Sequence, residues 1–342
     1  MVEIDTLIIG AGAVGGVIGG LLHASGHATG LLVRDVGGAA APVPATLRVG
    51  FASHRAPVIA TGVPMGARLA DFAPRRVLIA VKYPALDAVA AALRELPPEV
   101  PIVSCLNGVR STDILRQSLP GRQIAHLTVL FNSKVEVPLS SYRLTTRPML
   151  TLEQRDAPFR AGLRRAGFMV TQGDASAAWG KLLFNLNNAI CTLTDSGFLD
   201  LMRDRHLRRA FVHTLDEAVA TLAAAGIPFR MPLPVPYRAY RMMGLYLGPL
   251  PAYVARLGNS LSAVARPSMA ADIAAGRPTE VEQINGEISA LGRAVGRPTP
   301  VNDALVRLIH TLEAQDPPQF LSPAALRAAL EAAVRAGAGS GS

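Results

Sequence analysis

Three polar side chains are spaced along one face of a helical pattern that covers residues 175–194. Lys181, Asn185 and Asn188 follow one another at i, i+4 and i+7, and the residues around them are mostly leucine and phenylalanine. An amine and two amides on a buried face are costly unless they have polar partners. The spacing therefore predicts a ligand site on this face, with a solvated helix face as the alternative.

Lysine is rare enough in this chain for its positions to be informative. Of the 34 basic residues only three are lysine, namely Lys82, Lys134 and Lys181. Arginine stays charged in proteins, whereas burial lowers the pKa of an ammonium group and allows it to release a proton. An ammonium at Lys181 can therefore carry a positive charge and also give up a proton. Chance placement remains the alternative for Lys134.

A second polar cluster lies further along the chain, around Ser268 and Glu280. The apolar period of 3.6 residues predicts a helix over 279–295, and Glu280 would stand in its first turn. A carboxylate is favoured there by the helix dipole. Glu280 is thus either a helix-capping residue or part of a functional site.

A glycine-rich turn close to the start of the sequence predicts a dinucleotide site. The motif Gly10-Ala11-Gly12-Ala13-Val14-Gly15 follows an apolar run and precedes a helix of small residues. In such a motif the first glycine makes the tight turn, the second admits a pyrophosphate and the third allows the helix to pack closely on the strand. The helix N-terminus then attracts the phosphates. A glycine turn without a ligand is the alternative.

Polar residues at the ends of the next three predicted strands are candidates for binding the cofactor. Arg34 ends the second strand and suits the 2′-phosphate of NADP, while Asp35 keeps NAD open as the alternative. Lys82 ends the next buried strand, within reach of the adenosine phosphate or ribose unless it is a solvated charge. Asn107 ends the strand after that, and its amide matches a nicotinamide ribose or a substrate carbonyl, unless it belongs to an ordinary Asn-Gly turn. We predict NADP(H) as the cofactor and no metal site.

Composition argues against several other classes of protein. The chain has 342 residues, half of them hydrophobic, which suffices for a large core and two domains. The net charge of +9 comes from scattered arginines without a basic run, so no nucleic-acid partner is predicted. Cys105 and Cys191 have the pattern of reduced core thiols, and neither a cleavable leader nor a membrane span is indicated. A cytoplasmic protein is expected.

The apolar pattern changes from strand-like to helical periodicity near residue 174. The predicted fold is therefore α/β, with a Rossmann-type dinucleotide-binding domain followed by an all-α domain. The expected organisation is a cofactor domain over 1–173, a helical substrate domain over 174–336 and a flexible tail over 337–342. Within these, 42–63 is predicted to be an irregular excursion that alternates short β-like runs, at 46–49 and 57–60, with turns. The Pro-rich stretch 228–251 is predicted to be a lid or a dimer surface.

The order of several motifs resembles that of the ketopantoate reductase family. These motifs are GAGAVG at the N-terminus, AVK at Lys82, LNG at Asn107, WGKLLFNLNNA over 179–189, RPSM over 266–269 and TEVEQING over 279–286. The resemblance covers about residues 5–314. It implies NADPH-dependent reduction of a branched 2-oxo acid, 2-dehydropantoate, to its 2-hydroxy acid, on the path to pantothenate and coenzyme A.

The resemblance also implies a role for each matched residue. It makes Lys181 the catalytic residue and Glu280 its carboxylate partner. In the implied reaction, hydride transfer turns the keto oxygen into an alkoxide, and Lys181 can act as the general acid and also stabilise that negative charge. The remaining implied roles are substrate binding by Asn185 and Ser268, a place near the nicotinamide for Asn107, and 2′-phosphate contacts by Arg34 and Lys82. We expect the segments that carry Lys181 and Glu280 to converge in a crevice between the two domains, opposite the reactive ring of the dinucleotide.

One position departs from the family pattern. Many members have a second amide eight residues after the lysine, where this chain has Ala189 beside Asn188. Either Asn188 replaces that amide or the substrate is held differently. The alternatives are thus a reductase of another 2-oxo acid and a non-catalytic NADP-binding sensor, and a homodimer is an open hypothesis.

Overall fold

The computed structural model describes residues 1–53, 55–153, 155–232, 236–246 and 267–339. The chain divides into two compact units, Met1–Ala175 and Ser176–Ser342. The first is a mixed α/β unit, and the described part of the second is helical. This architecture confirms the predicted fold class.

The N-terminal unit is built on one large sheet. Its strands are β1 (Val2–Ile4), β2 (Thr6–Ile9), β3 (Thr29–Leu32), β4 (Val43–Phe51), β5 (Val58–Gly66), β6 (Phe72–Pro74), β7 (Val77–Ile79), β8 (Ile102–Ser104), β9 (Ile124–Val129), β10 (Ser133–Val137), β11 (Ser141–Leu144), β12 (Met149–Leu152) and β13 (Met169–Gln172). Within the described residues the main sheet has the order β10-β11-β4-β5-β3-β2-β7-β8-β9-β12-β13, and β1 pairs with β6 separately. The central run from β5 to β9 is parallel.

Helices cover both faces of the parallel part of this sheet. They are α1 (Ala13–Ala24), α2 (Leu86–Leu93), α3 (Ser111–Ser118) and α4 (Ala157–Arg165). Alternate residues of β2 point into separate cores: Ile8 packs with the residues of α1, whereas Leu7 and Ile9 pack with those of α2 and α3. A strand buried on both faces has a continuous apolar sequence, which is why these strands could be predicted.

The segment 42–63 is more regular than predicted. Instead of an irregular excursion it contributes most of β4 and β5, two nine-residue antiparallel strands that extend the main sheet. The β-like runs predicted at 46–49 and 57–60 fall largely within these strands, but their full length was not predicted, because only part of each strand is buried and the register shifts between Ala45 and Leu47. Strand β11 then pairs with β4 and continues the extension.

The C-terminal unit contains helices throughout its described residues. They are α5 (Ala175–Asn185), which begins at the boundary, α6 (Asn187–Leu193), α7 (Phe198–Arg203), α8 (Arg205–Ala224), α9 (Tyr237–Tyr246), α10 (Ser268–Ala274), α11 (Asn285–Ala294), α12 (Pro300–Glu313) and α13 (Pro323–Gly339). All seven residues of α6 are buried. It packs against α8, α10 and α12 and so lies at the centre of this unit.

Three helix predictions need correction. The helix expected over 175–194 is divided into α5 and α6 at the single residue Leu186, whose φ of −57° and ψ of −23° are still in the right-handed helical region. The helix expected from Thr279 begins at Asn285, and the residues before it form turns. The last helix continues to Gly339, so the start of the expected tail is helical.

Part of the Pro-rich stretch 228–251 is helical, since it contains α9. Residues 233–235 and 247–251 of that stretch, and Arg266 of the RPSM motif, lie outside the described residues. Over the portion of the chain that is described, no helix is both long enough and apolar enough to cross a membrane.

Candidate functional site

The predicted cofactor residues lie at one edge of the N-terminal sheet. Gly10–Gly15 follows β2, Arg34 lies just after β3, Lys82 after β7 and Asn107 after β8. These four strands are neighbours and run parallel, so their carboxyl ends lie along the same edge. From β2 the chain crosses to β3 on one side, and it later continues with β7 on the other side of β2. This makes β2 the switch point of the sheet, and ligands of open α/β sheets bind at such a point.

Two glycines of the motif allow the turn to form. Gly10 has a φ of +103°, which favours glycine, and a Cβ there would lie 2.9 Å from the Ala80 carbonyl oxygen. A Cβ on Gly15 would overlap the carbonyl oxygen of Gly10. These two residues therefore let α1 start directly against the end of β2, as the motif predicts.

The middle glycine of the motif, Gly12, leaves open space in front of α1. Gly12 is exposed, and a Cβ on it would meet no atom within 4 Å among the described residues. Gly12 is the N-cap of α1, and in the described structure no side chain caps that first turn, which includes Ala13 and Val14. The N–H groups of this first turn and the dipole of α1 favour binding of an anion there. The turn thus fits a dinucleotide pyrophosphate.

Arg34 and Asp35, which follow β3 closely in the chain, have different surroundings. Arg34 is exposed, so its guanidinium is accessible to a ligand at the sheet edge. Asp35 Oδ1 accepts a hydrogen bond of 3.1 Å from the backbone N–H of Gly38, which ties this carboxylate into the following turn. Lys82 is also exposed, and Asn107 is half-buried.

Tyr142 is a residue near the glycine turn that the sequence did not indicate. It lies on β11, its ring is fully buried, and its hydroxyl donates a hydrogen bond of 3.1 Å to the carbonyl oxygen of Ala11. The ring occupies the space that a side chain on Gly16 would need. Burial raises the pKa of Tyr142 to about 12, so the hydroxyl keeps its proton. No local pattern signals this contact, because β11 is distant in sequence.

The polar helix face in the C-terminal unit is divided between α5 and α6. Lys181 and Asn185 are half-buried on α5, whereas Asn188 is 7% exposed on α6. The side-chain amide of Asn187 donates a 2.6 Å hydrogen bond to the Phe184 carbonyl oxygen and so satisfies an acceptor at the end of α5. The expected i, i+4, i+7 stripe therefore crosses a break between helices.

The elements that carry the second polar cluster pack around α6. Ser268 is exposed and is the first residue of α10, which contacts α6. Glu280 is half-buried in the turns over 279–284, and these turns are bound to α12, which also contacts α6. The elements of Ser268 and Glu280 are thus placed around α6 by packing, whereas α5, which carries Lys181, is joined to α6 through the chain at Leu186.

Neither cysteine forms a disulfide bond and both are buried, as expected for reduced core thiols. Burial, with a smaller contribution from Asp200, raises the pKa of Cys191 to about 12. A thiol with so high a pKa is a poor nucleophile at neutral pH.

A doubly wound sheet with a glycine turn at its switch point, followed by a helical unit, defines the class of Rossmann-type dehydrogenase folds. Within this class, the chain belongs to the ketopantoate reductase family. Residues 6–154 match the family described as ketopantoate reductase PanE/ApbA, and residues 175–313 match its C-terminal part. The resemblance predicted from the motifs is confirmed, and membership makes the protein an oxidoreductase.

Individual relatives are distant but cover nearly the whole chain. A 2-dehydropantoate 2-reductase from Mycobacterium tuberculosis is 28% identical over 313 residues, which are 88% of this chain and 95% of the relative. The solved PanE/ApbA family ketopantoate reductase from Ralstonia eutropha JMP134 is 27% identical with a TM-score of 0.73, over 91% of this chain and 98% of that one. A D-mandelate dehydrogenase solved with NADH has the same fold at 19% identity, with a TM-score of 0.71 over 92% and 100% of the two chains.

Proposed function

We propose that this protein is an NADPH-dependent reductase that converts 2-dehydropantoate to pantoate in the biosynthesis of pantothenate and coenzyme A. The observation that carries the proposal is the position of α6, which directly follows the helix of Lys181 in the chain and packs against the helix of Ser268 and against α12, which holds the turns of Glu280. Family membership and the Mycobacterium tuberculosis relative support the same substrate.

In the proposed reaction Lys181 and Glu280 act on the oxygen of the keto group. Reduction of the keto group places negative charge on its oxygen, which requires a nearby cation that can release a proton. Lys181 donates that proton and stabilises the charge as it develops. Glu280 orients the Lys181 ammonium or accepts a hydrogen bond from the substrate hydroxyl.

The substrate itself is held by neutral hydrogen-bonding groups. We assign the carboxylate to the Ser268 hydroxyl, and the carbonyl and hydroxyl groups to the amides of Asn185 and Asn188. Asn107, in the N-terminal unit, is the amide next to the nicotinamide ribose. Neutral donors and acceptors fix an orientation without competing with Lys181 for the role of proton donor.

The proposed cofactor is NADP(H), held by Gly10–Gly15 and by the two exposed cations Arg34 and Lys82. When bound, the nicotinamide supplies the hydride. Arg34 favours a 2′-phosphate, and Asp35 is engaged by the Gly38 N–H, which leaves it less suited to bind the 2′-hydroxyl of NAD. D-mandelate dehydrogenase was solved with NADH, so NAD(H) is the alternative that a binding measurement must test.

A second candidate is reduction of a different 2-oxo acid. Ala189, which replaces the second amide of the family pattern, is fully buried, so Asn188 is the amide available at this point of α6. An amide at Asn188 instead of at position 189 changes which 2-oxo acids bind best in the site. The likeness of the fold to that of D-mandelate dehydrogenase is compatible with this second candidate.

The discriminating experiment is a steady-state assay of dinucleotide oxidation with a panel of 2-oxo acids, including 2-dehydropantoate and phenylglyoxylate, and with NADPH and NADH in parallel. The proposal predicts the highest kcat/KM for 2-dehydropantoate with NADPH. A higher kcat/KM for another acid would favour the second candidate. Dinucleotide binding without turnover of any acid would instead favour a non-catalytic sensor. Light scattering of the same preparation tests the proposed homodimer.

A further inference from the structure

The turns that carry Glu280 are fastened to α12 by charged side chains. Glu313 Oε1 accepts a hydrogen bond of 2.7 Å from the backbone N–H of Thr279, at the start of the turns. Glu313 Oε2 lies 2.8 Å from Nδ1 of His310, and His310 Nε2 lies 2.8 Å from Glu282 Oε1. His310 therefore links Glu282, two residues after Glu280, to the carboxylate that holds Thr279.

This Glu282–His310–Glu313 bridge requires a protonated histidine. An ionised carboxylate only accepts hydrogen bonds, so both ring nitrogens of His310 must donate, as only the imidazolium can. The hydrogen bond to Glu282, followed by that to Glu313, raises the pKa of His310 above its usual value. Burial raises the pKa of Glu313, but hydrogen bonds from Thr279 and His310 outweigh it and leave that pKa lowered.

A glycine at the start of α11 makes room for one end of the bridge. A Cβ on Gly286 would lie 2.5 Å from Glu282 Oε2, so the missing side chain admits this carboxylate. The neighbouring residue, Asn285, donates a hydrogen bond of 3.1 Å to Asn302 Oδ1 on α12. The turns are thus attached to α12 at both ends, and Glu280 lies between the attachments.

We propose that His310 is a positioning residue, which holds Glu280 in its working place by fixing the 279–284 turns to α12. The inference rests on the proposed function, in which Glu280 acts on the Lys181 ammonium or the substrate. His310 and Glu282 are about half exposed, with side-chain exposures of 48% and 55%, so the bridge adds little to global stability. Its effect is therefore local, on the placement of one carboxylate.

The test compares His310→Ala with His213→Ala, which removes an exposed histidine from α8. Hydrogen–deuterium exchange of the peptide over 278–286 is expected to become faster in His310→Ala alone. The kcat for the oxo acid is expected to fall about tenfold or more, because misplacement of a catalytic group by about an ångström is costly. The dissociation constant for NADPH should not change, since its proposed ligands are in the other unit. His310→Lys should recover much of the loss, since an ammonium can donate to both carboxylates.

A double mutant shows whether His310 acts through Glu280. In a Glu280→Ala background, His310→Ala should lower kcat no further, because coupled residues are not additive. An equal loss in both backgrounds, an unchanged kcat in the single variant, or unchanged exchange over 278–286 would overturn the inference. If the wild-type protein reduces no oxo acid, the proposed function fails, and the exchange measurement alone decides whether His310 fixes the turns.

Discussion

The hydroxyl of Tyr142 donates a hydrogen bond to the carbonyl oxygen of Ala11, a residue 131 positions earlier in the chain. Ala11 belongs to the glycine turn, and Tyr142 comes from β11, in the part of the sheet that extends beyond β5. The extension therefore fixes one peptide group of the turn that faces the proposed pyrophosphate, and we expect the consequence to be tighter cofactor binding.

Tyr142→Phe tests that consequence. The variant keeps the buried ring and removes only the hydroxyl, so the free energy of unfolding should change by no more than about 1 kcal/mol. The glycine turn becomes less ordered, and the dissociation constant for NADPH is expected to rise roughly fivefold. Nucleotide fluorescence titration measures it, with Tyr246→Phe on an exposed tyrosine as the control. Equal affinities in wild type and Tyr142→Phe would show that the bond does not order the turn.

Two alanine substitutions should separate the roles of the glycines. Gly15→Ala places a methyl group against the Gly10 carbonyl and is expected to lower the free energy of unfolding by about 1–3 kcal/mol or more. Gly12→Ala meets no neighbouring atom and has an ordinary φ of −72°, so its thermal unfolding should match wild type while its affinity for NADPH falls at least about tenfold. Calorimetry and titration of both variants test the pair. Retained affinity in Gly12→Ala would contradict pyrophosphate binding at this turn.

Arg34→Ala should distinguish the two dinucleotides. Loss of a charge-assisted hydrogen bond to phosphate is expected to weaken NADPH binding by about 10- to 100-fold and NADH binding far less. Arg75→Ala is the matched control, because Arg75 is 82% exposed and precedes β7, at the opposite edge of the sheet. Equal losses for NADPH and NADH would refute the assignment of the 2′-phosphate to Arg34.

Glu280→Gln removes a charge and preserves side-chain size. If Glu280 orients the Lys181 ammonium, kcat is expected to fall by about 10- to 100-fold, with no change in NADPH affinity or in unfolding temperature. Glu331→Gln, which alters an ion pair with Arg327 on α13, is the control for removal of a surface carboxylate. A Glu280→Gln enzyme with wild-type kcat would exclude Glu280 from the reaction.

The N-terminal fold could be predicted in outline from the sequence, because the sequence signals for its strands and for its glycine turn are local. The strands β2, β3 and β7 are short apolar runs, and the glycine turn has a fixed spacing. Strands β4 and β5 were not predicted as regular, because each has exposed residues and their register shifts. The Tyr142 contact was not predictable, since it depends on which distant strand joins the sheet.

The backbone conformation around Glu280 could not be predicted from the sequence, for a different reason. Val281, Ile284 and Ile288 are buried, and their spacing continues the period of α11 backwards past its true start at Asn285. The chain instead forms turns there, held by Glu313 and His310 from α12. Periodicity reports which residues are buried, whereas the backbone conformation here depends on partners about 30 residues away.

The most direct test of the account is the kcat/KM for 2-dehydropantoate and NADPH in Lys181→Ala and Lys181→Arg. If Lys181 is the proton donor, the alanine variant should lose at least about 100-fold, and the arginine variant nearly as much, because a guanidinium keeps the charge but donates a proton poorly. Both variants should bind NADPH as wild type does. Unchanged kcat/KM in Lys181→Ala would contradict the central claim.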